Sequence, residues 1–303
     1  MQGGGLFATS MLETIGNTPL VRIAKIYAKL ETTNPTGSIK DRLAWYLVKK
    51  AEDRGELRKG DAIIEVTSGN TGISLAMVSA IRGYRFTAVM PRSAGSEKRK
   101  MMEAFGAEII LTPAKRGMAG AVEVYEKLVR HAGNVWLPRQ FENPDNIAAH
   151  REGTGREIIH QMKGKVDAFV AGVGTGGTLL GVALALKQVY PAARIIAVEP
   201  AESAVLSGGE SGCHRIAGIG EGFIPQLVQA NRDLITGVIA VQSSDAIAMS
   251  KELARKYGIL VGVSSGANMV AARKIAESDR NVVTVLPDRG ERYLSMQSRK
   301  KGD

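Results

Sequence analysis

Only one cysteine, Cys213, occurs in the 303 residues, so no internal disulfide can form and no cysteine pair stands at zinc-ligand spacing. That usage suits a reducing, cytoplasmic setting. Histidine is nearly as scarce. His131, His150, His160 and His214 are scattered, with no H-E-x-x-H or similar grouping, so no metal is expected. Cys213 beside His214 is read as an ordinary small residue, because neighbours in sequence rarely face each other. No stretch approaches the roughly 18 uninterrupted apolar residues of a membrane helix, and the first ten residues lack the charged and apolar regions of a signal peptide. Aromatic residues are 5% of the chain. The formal net charge is +10, but the basic residues are dispersed, with runs only at Lys98–Lys100 and Arg299–Lys301. Without an RNA-binding or helix-turn-helix signature these read as solvated surface, so neither nucleic acid nor membrane is an expected partner. The charge can still favour small anions.

What the chain does contain is a repeated unit: a short apolar run, a turn of Gly, Ser and Thr, then a helical stretch. Ala62–Val66 runs into T-S-G-N-T-G, Ala168–Ala171 into a glycine loop, and Ile259–Val261 into S-S-G-A, while Val282–Leu286 reads as a late buried strand. Strands alternating with helices predict an α/β protein with parallel sheets covered by helices, whose ligands sit at the carboxyl ends of the strands. With 44% hydrophobic residues the chain can bury a large core, more naturally in two domains than one. The polar, proline-bearing passage Arg139–Asn146 marks a domain crossing. The glycine-rich start reads as a disordered leader over 1–11, or as an upstream start before Met11.

Four segments carry chemistry. N-P-T-G-S-I-K-D-R at 34–42 precedes an amphipathic helix and places Lys40 in its first turn. The helix dipole disfavours a cation there, which suits a Schiff-base lysine; a solvated lysine after an ordinary cap stays open on this segment alone. Glu65–Gly72 gathers hydroxyls and backbone N–H groups at a strand end, an anion cradle in which Thr67, Ser68 and Thr71 can hold a carboxylate and Asn70 can reach a ring oxygen. Gly172–Thr178 is a second cradle, suited to a phosphate. Gly172, Gly174 and Gly177 also satisfy G-x-G-x-x-G, with Glu199 at the end of the next strand, so an NAD-dependent enzyme is the rival from this loop. Gly262–Gly266 matches the G-x-S-x-G nucleophile elbow, but no histidine follows His214 and a hydrolase triad fails; Ser264 remains available to a cofactor ring nitrogen.

Together these segments resemble the cysteine synthase (O-acetylserine sulfhydrylase) family of the tryptophan synthase β-like fold type II. The likeness runs through I-G-N-T-P-L at 15–20, the 34–42 segment, T-S-G-N-T-G at 67–72, Q-F-E-N-P at 140–144, G-T-G-G-T at 174–178, H-R-I-A-G-I-G-E-G-F-I-P at 214–225, G-V-S-S-G-A at 262–267 and G-E-R-Y-L-S at 290–295. The resemblance implies pyridoxal 5′-phosphate as cofactor, held by Lys40 through a Schiff base, by Asn70, by Gly174, Thr175, Gly176, Gly177 and Thr178 at the phosphate, and by Ser264 at the ring nitrogen. Thr67, Ser68, Thr71 and Gln140 would hold the substrate carboxylate. It implies β-replacement giving L-cysteine from O-acetyl-L-serine and sulfide through an aminoacrylate. An O-phosphoserine donor, thiosulfate as acceptor and a cystathionine β-synthase-type reaction remain as alternatives. The family also implies a homodimer, and a larger cofactor-binding domain of 12–34 plus 141–303 with a smaller mobile substrate domain of 35–140. One departure is a shortened connection within 20–28, expected to alter a surface or dimer edge.

Overall fold

The computed structural model describes residues 7–131 and 134–294. Ten strands are numbered along the chain: β1 Leu20–Ile23, β2 Ile26–Leu30, β3 Ala62–Val66, β4 Arg85–Pro91, β5 Glu108–Thr112, β6 Val135–Trp136, β7 Ala168–Gly172, β8 Arg194–Pro200, β9 Gly237–Val241 and β10 Val282–Leu286. The helices are α1 Lys40–Asp53, α2 Asn70–Arg82, α3 Ser96–Ala104, α4 Gly117–His131, α5 Asp145–Ala149, α6 Arg156–Met162, α7 Gly177–Val189, α8 Gln226–Gln229, α9 Ser243–Tyr257 and α10 Val263–Ile275. A π-helical turn, His150–Gly155, joins α5 to α6. Among the described residues no helix is long and apolar enough to cross a membrane.

Two compact units result. The smaller contains Lys40–Arg139 together with residues up to Ile15, and the larger contains Gly16–Ile39 and the chain from Gln140 onward. The smaller unit holds a parallel four-stranded sheet in the order β5-β4-β3-β6. Its main core joins Leu43, Leu47 and Val48 of α1 to Ile73, Leu75 and Met77 of α2.

The larger unit holds a six-stranded sheet in the order β1-β2-β10-β7-β8-β9, parallel except for β1 at one edge. Side chains alternate across a strand. Ala168 and Val170 of β7 therefore enter one core with Ile196 and Val198, while Phe169 and Ala171 enter a second with Ile195 and Ala197. Helices cover both faces, which is why these strands read as unbroken apolar runs rather than as alternating ones.

Several boundaries differ from the sequence reading, and Gln140 is one of them: it opens the second stretch of the larger unit instead of closing the smaller one. Residues 35–39 belong to the larger unit, because the Ile39 N–H donates to Pro287 O (2.8 Å) and the Arg289 N–H to Gly37 O (3.1 Å). Residues 12–15 go with the smaller unit, where Leu12 is buried in the main core. Of the segment read as a leader, residues 1–6 lie outside the described residues; further on, the Thr9 hydroxyl donates to Glu13 Oε1 (2.6 Å), and Ser10 caps a short helical turn at Met11–Thr14. Ile259–Val261 is not a strand: Val261 makes a single bridge to Arg289. The shortened 20–28 segment is a tight β1–β2 hairpin in which Ile23 opposes Ile26 and Ala24 takes φ +53°.

Candidate active site

In the smaller unit, Lys40 is the first residue of α1 and is partly exposed. Asp41, fully buried beside it, accepts a 2.5 Å hydrogen bond from the Ser74 hydroxyl. That bond fixes the first turn of α1 beside the first two turns of α2, which begin with Asn70 and Thr71. Thr67 ends the β3 connection with its N–H on Val89 O (3.1 Å), and its hydroxyl oxygen accepts the Gly72 N–H (3.1 Å). Thr67 therefore organises the cradle as well as lining it. A Cβ at Gly72 would lie 2.5 Å from Met102 Sδ and 2.7 Å from Thr67 Cγ2, so the turn closes only on glycine. Gly69, the N-cap residue of α2, has no side chain to cap the helix, and no acidic residue stands in the first turn, an electrostatic setting that suits an anion.

In the larger unit, the loop from β7 to α7 holds Gly174, Thr175, Gly176, Gly177 and Thr178. The Gly172 N–H donates to Asn268 Oδ1 (2.8 Å) and the Val173 N–H to Val198 O (3.0 Å). The N–H groups of Gly174, Thr175, Gly176, Thr178 and Leu179 then find no acceptor among the described residues, while that of Gly177 reaches only Thr175 Oγ1 at 3.4 Å. Close packing enforces the glycines. A Cβ at Gly174 would meet Gly218 O at 2.5 Å, one at Gly176, where φ is +90°, would meet Val228 Cγ2 at 2.4 Å, and one at Gly177 would meet Asn146 Oδ1 at 1.8 Å. A run of unpaired backbone donors at the start of a 13-residue helix, with no acidic residue in its first turn, fits a phosphate group. Within the larger unit the residues present fit pyridoxal phosphate: backbone donors for a phosphate at one helix start and a neutral hydroxyl at another.

That hydroxyl is Ser264, 4% exposed in the first turn of α10. Asn268 lies one helical turn further on the same face, bonding Gly172 on one side and donating to Val285 O (2.9 Å) on the other. The helix of Ser264 is thus tied to the start of the glycine loop. Gln140 joins the same loop through Asn146, whose side-chain amide donates both to Gln140 O (2.7 Å) and to Thr175 Oγ1 (2.9 Å). The Thr178 hydroxyl meets Nε2 of fully buried His150 at 3.3 Å, and Nδ1 of that ring meets Thr154 Oγ1 at 3.0 Å on the π-helical turn. Asn146, His150 and Asn268 were missed as site-building residues. Only the Q-F-E-N-P-D-N run hinted at the first.

The rival signals have other uses. The Glu199 carboxylate, 2% exposed, accepts the N–H groups of Leu206 (2.7 Å) and Ser207 (3.1 Å) and the Ser207 hydroxyl (2.5 Å), which leaves it holding its own chain rather than a ribose. Cys213 is exposed, and His214 accepts the Ile216 N–H on Nδ1 (3.2 Å) while Nε2 donates to Gly220 O (2.8 Å). Among the described residues no group of three or more His, Cys, Asp or Glu could hold a metal ion.

Residues 11–288 match the family described as "Pyridoxal-phosphate dependent enzyme". The chain belongs to that family. It is 46% identical over 298 residues to a cysteine synthase of Staphylococcus aureus (strain Mu50), covering 94% of this chain and 95% of the relative. Among solved structures it is similar to cysteine synthase from Entamoeba histolytica (TM-score 0.93, 41% identity, 100% of this chain and 94% of the other). It is similar also to an O-acetylserine-dependent cystathionine β-synthase from Helicobacter pylori (TM-score 0.90, 41% identity, 96% and 98%). An O-ureido-L-serine synthase is a further neighbour (TM-score 0.91, 40% identity, 98% and 98%).

Proposed function

We propose that this chain makes L-cysteine from O-acetyl-L-serine and sulfide by pyridoxal-phosphate-dependent β-replacement. The observation that carries the reading is the 46% identity to a cysteine synthase, sustained over 94% of the chain. Lys40 would bond the cofactor, Asn70 would reach its ring oxygen, Gly174 through Thr178 would hold its phosphate and Ser264 its ring nitrogen. When bound, the group withdraws electrons from the substrate α-carbon. Lys40, released as a free amine, takes the α-proton; acetate leaves the β-carbon, sulfide forms the new C–S bond there, and Lys40 returns a proton to the α-carbon. Ser264, a neutral hydroxyl, would hydrogen-bond the cofactor's ring nitrogen without adding the charge that a carboxylate there would bring, a setting suited to loss of the β-substituent. Thr67, Ser68, Thr71 and Gln140 hold the substrate carboxylate and orient the α-proton toward Lys40. We assign the substrate-binding, mobile role to the smaller unit, whose movement excludes water. The same proposal includes a cytoplasmic location, consistent with the lone cysteine, and a homodimer, which rests on the family resemblance.

The test is the visible spectrum of the purified holoenzyme. A yellow band that shifts on O-acetylserine and returns on sulfide, with cysteine released, is the expected result. A colourless protein that pyridoxal phosphate does not reconstitute would overturn the reading. O-phosphoserine as donor, with thiosulfate or homocysteine as acceptor, runs in parallel; a faster turnover with any of these would reassign the substrate within the same chemistry.

A further inference from the structure

The G-E-R-Y-L-S stretch found at 290–295 was given no task by the readings above. Its residues up to Leu294 lie in the described structure, at the end of a segment that leaves β10 at Pro287. One edge of that segment pairs with the chain before α1. Ser38 and Asp288 form an antiparallel bridge, the Ile39 N–H donates to Pro287 O (2.8 Å), the Arg289 N–H donates to Gly37 O (3.1 Å), and the Arg292 guanidinium donates to Thr36 O (2.6 Å). The next residue after Ile39 is Lys40. The other edge pairs with the chain before α10. Val261 bridges Arg289, the Gly262 N–H donates to Asp288 O (3.1 Å) and the Gly290 N–H to Leu260 O (3.2 Å). Ser264 follows two residues after Gly262.

Asp288 and Tyr293 lock this seven-residue segment internally. The Tyr293 hydroxyl donates a short hydrogen bond to Asp288 Oδ2, with the residues 5% and 2% exposed. Both press on the start of α10: a Cβ at Gly262 would lie 2.2 Å from Asp288 Oδ1 and 2.8 Å from the Tyr293 ring. Gly37, at φ +81°, is crowded in the same way: a Cβ there would lie 2.7 Å from Arg289 Cδ.

We propose that Asp288 and Tyr293 are positioning residues for the reaction. Their mutual lock braces the backbone on which Lys40 and Ser264 enter their helices, and so tunes how the cofactor is held at its aldehyde carbon and at its ring nitrogen. The proposal rests on the roles given to Lys40 and Ser264 above.

The experiment titrates pyridoxal 5′-phosphate into the parent chain and into Tyr293→Phe, Asp288→Asn and the double variant, recording visible absorption, cofactor affinity and far-ultraviolet circular dichroism. Each single variant is expected to keep the parent's dichroism, bind the cofactor about tenfold more weakly and shift its visible band, because Tyr293→Phe removes the donor and Asp288→Asn replaces the carboxylate by a weaker amide acceptor. The double variant should be no worse than the worse single, since the pair acts as a unit. Variants whose band and affinity match the parent's overturn the proposal, even if they melt earlier, because that is a purely structural role. Tyr293→Phe removes one oxygen only and decides the case if Asp288→Asn fails to fold. A parent chain that gives no visible band brings down the site reading and this inference together; a parent band that every variant reproduces brings down the inference alone.

Discussion

Replacing Gly177 by alanine probes the glycine loop at its tightest point. The new methyl carbon would sit 1.8 Å from Asn146 Oδ1, 2.4 Å from its Cγ and 3.0 Å from its Nδ2, all far inside contact distance. Asn146 is fully buried and has little room to yield, and moving it breaks the bonds to Gln140 O and Thr175 Oγ1. Two hydrogen bonds are worth about 1 kcal/mol each, and overpacking a core costs roughly 1–3 kcal/mol. Alanine in a helix recovers about 0.5–1 kcal/mol over glycine. The net expectation is a loss of about 2–4 kcal/mol, large beside total stabilities of roughly 5–15 kcal/mol. Urea unfolding followed by circular dichroism should show the midpoint falling by about 1 M, for a denaturant slope of roughly 3 kcal/mol/M. Pyridoxal phosphate binding should weaken as well, because Thr175 loses its anchor. Adding Asn146→Ala relieves the collision, so the double variant should be destabilised by less than the sum of the singles. Unchanged stability and unchanged cofactor binding in Gly177→Ala would refute the packing argument.

Lys40→Ala should fold normally yet form no covalent cofactor adduct, checked by borohydride reduction and mass spectrometry of the 40–53 peptide; a reduced adduct elsewhere would reassign the lysine. Asn268→Ala strips the Gly172 N–H of its acceptor and Val285 O of a donor, both in the buried sheet region, and should cost about 2–4 kcal/mol in chemical denaturation. Burial and the hydrogen bond to Glu52 push the Tyr84 hydroxyl up from 10.0 to about 12. The folded protein holds that proton longer than the unfolded chain, so this stability is fully present below about pH 10 and is lost as pH rises through about 12. Over that window Tyr84→Phe should unfold with a shallower alkaline dependence than the parent, and parallel curves would contradict the assignment.

Much of this arrangement can be read from local pattern, and the limits of that reading are physical. A strand, a glycine or hydroxyl turn and a helix are short-range signals, so the elements around 62–82 and 168–189 announce themselves along with Lys40, Asn70 and Gly174–Thr178. Ile259–Val261 misleads because an apolar triplet is strand-like in composition, whereas its one β-bridge is made by Val261 to the distant Arg289. Asn146, His150 and Asn268 are single polar residues within helical or π-helical turns. Nothing near them in sequence says that partners such as Thr175, Thr178 and Gly172 lie elsewhere in the fold. Residues 35–39 illustrate the same limit: their turn composition is obvious, but their allegiance to the larger unit comes from hydrogen bonds to the 287–293 segment.

The clamp formed by that segment also bears on the order in which the protein can be made. The Arg289 side chain bonds Thr32 O (2.7 Å) across 257 residues, and β10 inserts between β2 and β7 rather than at an edge. A ribosome delivers the β1–β2 hairpin and the contiguous Lys40–Arg139 segment long before it delivers β10. During that interval the edge of β2 away from β1 lacks its partner strand, and residues 36–39 lack their hydrogen bonds to Pro287, Arg289 and Arg292. Closing such long loops is slow, and unpaired strands are open to aggregation. A nascent chain stalled before residue 282 therefore lacks both the strand that fills the sheet between β2 and β7 and the backbone that pairs with residues 36–39, so the larger unit closes only when the last part of the chain arrives.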